Sequence, residues 1–441
     1  MHAKAQPNSY SQKSHRQLSM VTLFSYLKPY PYILLKHTDA QLADMSTSSD
    51  LDIFLSEADV QTLMAQLRVD RHILRCECIR DNAMTQVFLY FQDWSFLQVD
   101  FLHDFRRKAT VYLDGQELLQ HTKMNEEGIR VYSDFHLMEH VVLFNVLNGA
   151  GVPQKYLDYL AKAPTGLLDQ FNQKYSTQLS DFSAFAKYNT ALHQALLKVV
   201  GALPQNKGKQ AILNRLDYYR CTLRKYRSNR GRIISFTGVD GAGKSTVLEN
   251  VRQLLKEKYR REVVVLRHRP SLLPILSAYR HGKAEAEKRA AATLPRQGNN
   301  TSRISSFVRF GYYYLDYLFG QHYVHFKHIM RGRILLYDRY YFDFIVDGRR
   351  SNIDLGKALP RFLYRWVRKP DLNFFLYAPP EIILQRKQEL DAEAIRQLTT
   401  DYQQLFQDCA QQYASDAYHC IENIELERTL QSIEQQYIHN L

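Results

Sequence analysis

The sequence predicts an α/β protein: a C-terminal parallel sheet with helices on both faces, an N-terminal α+β domain, and a helical connector between them. Three textures carry that expectation. From about residue 231, apolar strands alternate with amphipathic helices, as in sheets whose parallel strands are joined by helical crossovers. From about 31 to 120, short runs of β-branched and aromatic residues dominate; from about 134 to 226, apolar residues recur at helical spacing. A chain of 441 residues holds two or three domains, each able to bury a core without disulfide staples.

Taken in order, residues 1–17 form a polar tail, and 18–130 form the α+β domain. Tyr32–Lys36, Leu51–Leu55, Gln86–Phe91 and Ser95–Leu102 read as strands, and Glu57–Leu67 as a helix through Val60, Leu63, Met64 and Leu67. Ala109 to Leu119 reads as a hairpin, because Asp114-Gly115 offers the two positive-φ positions of a type I′ turn. Residues 131–228 form a helical extension and connector. Gly149 to Pro153, Pro164-Thr-Gly166 and Pro204 to Gly208 mark its joints. In 229–441, Arg232–Thr237, Glu262–Leu266, Ile334–Tyr337 and Asn373–Tyr377 are the strands, with a long helical region over Ser306–Met330.

Composition excludes several classes. Apolar runs are too short to span a bilayer, and the polar start lacks the apolar core of a signal peptide. Five scattered cysteines give neither a disulfide framework nor zinc spacing, so a reducing, cytoplasmic location is expected. Cys76 and Cys78 read as core thiols. The net charge of +13 suits an anionic partner, small phosphate compounds as well as nucleic acid. Basic residues gather from Arg215 to Arg232, either as a solvated helix face or as a polyanion-binding stripe. The aromatic run Phe307 to Tyr323 reads as helix core rather than a stacking platform.

The strongest motif is Gly238-Val-Asp240-Gly241-Ala242-Gly243-Lys244-Ser245-Thr246, a P-loop pattern lying between a strand and an amphipathic helix. Its glycines let main-chain N–H groups converge on phosphate oxygens, and the helix N-terminus adds positive potential. Lys244 is placed to neutralise the terminal phosphates of ATP, and Ser245 to hold Mg²⁺. In the second motif, Asp338 ends the strand Ile334–Tyr337, where parallel sheets open their ligand crevice. There it can meet the Mg²⁺ shell, while Arg339 forks onto a phosphate.

Residues 231 to 420 resemble the thymidylate kinase family of nucleoside-monophosphate kinases. The resemblance rests on Phe236 to Thr246, Asp338-Arg339-Tyr340, and Pro370 to Tyr377 leading to Pro380-Glu381. It implies that Asp240 contacts the acceptor's sugar hydroxyl, that Arg339 grips the acceptor phosphate, and that Arg386, Lys387 or Arg396 sits on a closing lid. The chain departs from the family where the base is read. Tyr341 to Gly348 replaces a Ser-rich stretch and a Gln, the family's helix Arg falls at Tyr317, and Leu266-Arg267-His268-Arg269-Pro270 replaces a Thr-Arg-Glu-Pro-Gly segment. Thymidine monophosphate is therefore not the expected physiological acceptor.

In the N-terminal region, Asp50 and Asp52 lie on one face of a strand, and Asp100 is expected on a neighbouring one. Three such carboxylates can hold Mg²⁺ against a triphosphate. Residues 31 to 105 resemble the nucleotidyltransferase superfamily of the DNA polymerase β type. The family's Gly-Ser is missing, and Lys36-His37-Thr38 stands near its place.

The expected protein is an ATP- and Mg²⁺-dependent phosphotransferase acting on a nucleotide or phosphorylated metabolite, a homodimer without a membrane span. Two other readings remain open. One is a nucleotide-gated scaffold of a surface-polysaccharide pathway, and the other a nucleic-acid end-processing enzyme, for which no helix-turn-helix, zinc or RNA-binding motif speaks.

Overall fold

The computed structural model describes residues 19–36, 42, 50–227, 231–270, 272–273 and 302–441. The polar tail 1–17, His37-Thr38 of the N-terminal motif and Arg230 of the basic run lie outside the described residues. The chain divides into two compact units, Met1–Lys225 and Tyr226–Leu441, and the fold is mixed α/β.

The first unit is built on a seven-stranded mixed sheet in the order β3 (Ile73–Arg80), β4 (Met84–Phe91), β5 (Phe96–Leu102), β2 (Leu51–Phe54), β1 (Ile33–Leu34), β9 (Arg130–Tyr132) and β8 (Thr122–Met124). β2 and β5 run parallel, as do β1 and β9, and the remaining pairs are antiparallel. Side chains alternate across the sheet and feed two cores. Leu51, Ile53 and Leu55 join Val60, Leu63, Met64 and Leu67 of helix Glu57–Val69. Phe54, with Ile33 and Leu35, faces the other way, into the helices Asp134–Leu147, Gln154–Leu160, Leu167–Tyr175 and Thr190–Ala202. The helical extension therefore covers the face to which Asp52, two residues before Phe54, belongs.

Two local expectations fail here. Asp114-Gly115 makes no hairpin. Asp114 caps helix Gly115–Gln120, its carboxylate accepting from the amides of Gln116 and Glu117. A Cβ on Gly115 would lie 2.2 Å from the Phe54 ring, so glycine is there for packing rather than for a turn. The hairpin lies earlier, between β6 (Phe105–Arg107) and β7 (Thr110–Leu113). Cys76 packs at the edge of the core, and burial pushes its thiol up to about 12, but Cys78 is exposed rather than a core thiol.

The second unit is a five-stranded, wholly parallel sheet in the order β11 (Val263–Arg267), β12 (Ile334–Asp338), β10 (Arg232–Gly238), β13 (Leu372–Tyr377) and β14 (Tyr418–Glu422). β10 is central. The chain leaves it toward β11 and β12 on one side and returns to β13 and β14 on the other, so strand order reverses beside its carboxyl end. Helix Lys244–Glu257 follows β10 and buries Val247, Leu248, Val251 and Leu255; its neighbour Leu426–His439 packs Tyr437 against Tyr259. Helix Ala392–Tyr413 stacks Tyr402 on Phe375 of β13. Helix Arg303–Lys327 buries Phe310 and Tyr317 but exposes Phe307, Phe319 and Tyr323, so only part of the aromatic run is core. Among the described residues no helix is long and apolar enough to cross a membrane.

Candidate functional site

The carboxyl ends of β10 and β12 bring the two C-terminal motifs together. Phe236 and Asp338 are register partners on adjacent strands, which sets Asp338 beside the loop that follows Gly238. Gly238 closes on β13: a Cβ there would lie 2.5 Å from the Leu376 carbonyl. Gly241 (φ +88°) and Gly243 (φ +79°) adopt left-handed backbone that only glycine takes without strain. Ala242, between them, is fully buried. With the chain so turned, the amides of Gly241, Gly243, Lys244, Ser245 and Thr246 form no main-chain hydrogen bond among the described residues, whereas Val247 resumes the helix by donating to the Gly243 carbonyl. Unbonded N–H groups at the start of a helix are a ready anion site. Ser245 and Thr246 are exposed at that start.

Lys244 is buried and its Nζ is hydrogen-bonded to Asp338 Oδ1. Burial lowers its pKa, and the Arg339 charge lowers it further, while Asp338 opposes both. The lysine thus points into the crevice and carries its own carboxylate counter-charge.

Arg339 follows Asp338 with φ +76°, a left-handed conformation that costs a non-glycine residue about 1–2 kcal/mol. Its side chain holds it there. Nη1 donates to the Gly238 carbonyl at 3.1 Å and to Asp343 Oδ2 at 3.0 Å, and Nη2 donates to Asp240 Oδ1 at 2.7 Å. Burial disfavours the guanidinium's charge, but Asp343 and Asp240 outweigh it and raise the pKa further. Asp240 is gripped from its other oxygen by Arg350. Burial would raise the Asp240 pKa; Arg339 and Arg350 overcome it and lower it.

Asp343 is the buried hub. It accepts from Thr237 Oγ1 at 2.8 Å and from Tyr402 OH at 2.9 Å as well as from Arg339. Burial pushes its carboxyl up, yet Arg339, His268 and Arg350 bring it down to about 2. His268, just past β11, is half-buried; desolvation drops it to about 4, so it is neutral at physiological pH, and its Nε2 lies 3.2 Å from Ser351 Oγ. Tyr317 donates its hydroxyl to the His268 carbonyl. Arg269 pairs with buried Asp316 at 2.8 Å.

The lid candidates come from elements after β13. Arg386 ends helix Pro380–Arg386 and is exposed, with Nη1 3.3 Å from where a Cβ on Gly243 would stand. Lys387 pairs with Glu389 at 2.9 Å, and exposed Arg396 lies 3.8 Å from Glu393.

Three residues of this constellation were not legible in the motifs: Arg350, His268 and Asn423. Asn423, just past β14, is buried; its Nδ2 donates to the Ala242 carbonyl at 2.7 Å, and its Oδ1 accepts from Thr429 at 3.0 Å. Such residues have no local signal, since each takes its place only through the order of the strands.

In the N-terminal unit, Asp52 and Asp100 are register partners on the parallel strands β2 and β5. Asp100 is buried and accepts from Gln98 at 2.9 Å; desolvation, despite that bond, lifts its carboxyl to about 6, with Asp52 and Asp50 adding to the rise. Asp52 is also raised by burial, and Lys36 Nζ meets it at 3.2 Å while lying over the Phe144 ring at 4.5 Å. Asp50 is exposed. Among the described residues no group of three or more His, Cys, Asp or Glu is placed to hold a metal ion, so the pair Asp52–Asp100 is assembled without a complete cage of Asp50, Asp52 and Asp100. No protein-family model matches the chain.

Proposed function

We propose that the chain is an ATP- and Mg²⁺-dependent phosphotransferase resembling thymidylate kinase, which phosphorylates a nucleoside monophosphate or a related phosphorylated metabolite. The observation that carries this reading is the set of unbonded amides of Gly241, Gly243, Lys244, Ser245 and Thr246, backed by Lys244 directed into the same crevice. Residues with those groups fit a nucleotide triphosphate: the amides cradle its oxygens and Lys244 neutralises its terminal phosphates. Ser245 and Asp338 are the oxygen donors that would hold Mg²⁺, which supplies charge neutralisation on the transferring group. Asp240, kept ionised between Arg339 and Arg350, offers an acceptor hydroxyl its oxygen, and the two guanidiniums beside it suit an acceptor phosphate. Arg386, exposed next to Gly243, can close over the phosphoryl group during transfer. One P–O bond of ATP breaks, one forms on the acceptor oxygen, and ADP leaves.

The test is purified full-length protein with labelled ATP and a panel of phosphorylated acceptors, products read by mass. An acceptor gaining one phosphoryl group, with turnover lost in Lys244→Ala of unchanged circular dichroism, supports the reading. Full turnover in Lys244→Ala refutes it. ATP binding without any phosphorylated product would move the balance to a nucleotide-gated scaffold.

The N-terminal unit we read as a nucleotidyltransferase-like, nucleotide-binding domain, on the strength of the Asp52–Asp100 register. Mn²⁺ binding to the full chain, followed by electron paramagnetic resonance, should weaken in Asp100→Asn; binding indifferent to that change removes the metal role of the pair.

A further inference from the structure

A concavity of about 360 Å³ lies in the N-terminal unit between the β6–β7 hairpin and helix Gly208–Arg227, and it shares no residue with Asp52, Asp100 or the phosphate loop. Arg107 and Lys108 reach it from the hairpin and Arg215 from the helix, with no carboxylate among the lining groups. Among the described residues none of these three cations has a carboxylate within 4.0 Å. The helix's one nearby acid, Asp217, is engaged elsewhere, 3.4 Å from Arg106. Three unanswered charges in one hollow raise the local concentration of anions.

The rest of the lining is not what a bare inorganic anion needs. Tyr218 and Tyr219 stand edge to face, with ring centroids 5.6 Å apart, and Tyr219 is 62% exposed. Leu147 and Leu197 complete an apolar floor. Flat apolar rings beside unpaired guanidiniums match a ligand that joins phosphate to a heterocyclic base.

The walls are also fixed. Val111 donates its amide to Asn206 Oδ1 at 2.9 Å, and Asn206 Nδ2 returns a bond to the Val111 carbonyl at 2.6 Å, tying β7 to the turn before the helix. Arg106–Asp217 ties β6 to the helix itself. At the hairpin tip Lys108 (φ +54°) is braced by Asn82 Nδ2, which donates to its carbonyl at 2.9 Å. Little ordering is left for the protein when a ligand enters, and preformed sites retain more of their interaction energy as affinity.

We propose that this hollow binds a nucleotide, its phosphates on Arg107, Lys108 and Arg215 and its base against Tyr219. The same chemistry is presented by a free nucleotide and by single-stranded nucleic acid, whose backbone could follow Arg220 and Arg224 along the helix.

Photolabelling of the full chain separates the sources and tests the site. One arm uses 8-azido-ATP, the other a short single strand carrying bromodeoxyuridine, each followed by peptide mapping. A label on the peptide bearing Tyr218 and Tyr219, cut about tenfold in Arg107→Glu/Arg215→Glu while the label on the 238–246 loop persists, supports the proposal. The arm that labels names the source. No label on that peptide in either arm, or a label insensitive to the double charge reversal, overturns it. Because the readout is the modified peptide, failure here leaves the kinase reading untouched.

Discussion

Asn423 and Ala242 are joined by a 2.7 Å hydrogen bond across 181 residues of sequence, so a side chain just past β14 fixes the carbonyl inside the glycine loop. The same asparagine is held by Thr429, making the bond part of a small buried chain. Replacing Asn423 by alanine leaves the buried Ala242 carbonyl without this donor, while the Thr429 hydroxyl keeps the Glu425 carbonyl at 3.1 Å. The expected loss is about 1–3 kcal/mol in the C-terminal unit. Urea unfolding read at Trp366, in a Trp94→Phe background, measures it; an unchanged midpoint would show the bond to be idle.

Gly243→Ala should act on binding more than on folding. The left-handed backbone costs about 1–2 kcal/mol, and the new methyl would stand 2.5 Å from Asn423 Nδ2. The loop must shift and its amides lose their common aim. ATP should then raise the melting temperature of the variant far less than that of the parent protein, and equal thermal shifts would contradict the cradle.

Asp343→Asn removes the charge that Arg339 faces in the interior. Breaking a buried pair while leaving its partner in place costs about 3–5 kcal/mol, moderated here because Arg339 keeps Asp240. A loss above about 2 kcal/mol, read at Trp366, is expected. The isosteric change keeps the packing, so a neutral outcome would mean that Asp240 alone satisfies the guanidinium.

The pH response of the N-terminal unit should carry Asp100. Its folded carboxyl titrates near 6, above the unfolded value of 3.8, so the folded state holds its proton more tightly. Stability from this group is full below about pH 4 and is lost as pH rises through 6, by up to about 3 kcal/mol. Asp100→Asn should flatten that decline and stabilise the unit at neutral pH. Trp94 fluorescence in a Trp366→Phe background reports it, since the chain has two tryptophans, one in each unit. Parallel pH profiles for parent and variant would refute the assignment.

Legibility in the sequence followed the range of the interactions. β10, the glycine loop and helix Lys244–Glu257 are contiguous, and their period and composition suffice to place them. Asp52 and Asp100 were readable as strand residues because period two sets their face, although their direct pairing needs β2 and β5 side by side. Asp114-Gly115 misled because the dipeptide suits a turn and a helix cap equally, and Phe54, distant in sequence, selects the cap. β3 exposes Arg75, Cys78 and Arg80 among half-buried neighbours and buries none of its residues fully, the weak signature of an edge strand. Arg350 and Asn423 converge on the loop from two elements while His268 sits beside Ser351, and no spacing along the chain connects them.

β14 and the residue that follows it are made long after the loop they brace, 181 residues further along the chain. A chain released just after β13 would carry every letter of the glycine motif but none of the brace that shapes it, so the loop takes its final form only once β14 has been made and docked. Premature termination before Asn423 should therefore leave a glycine loop without its brace.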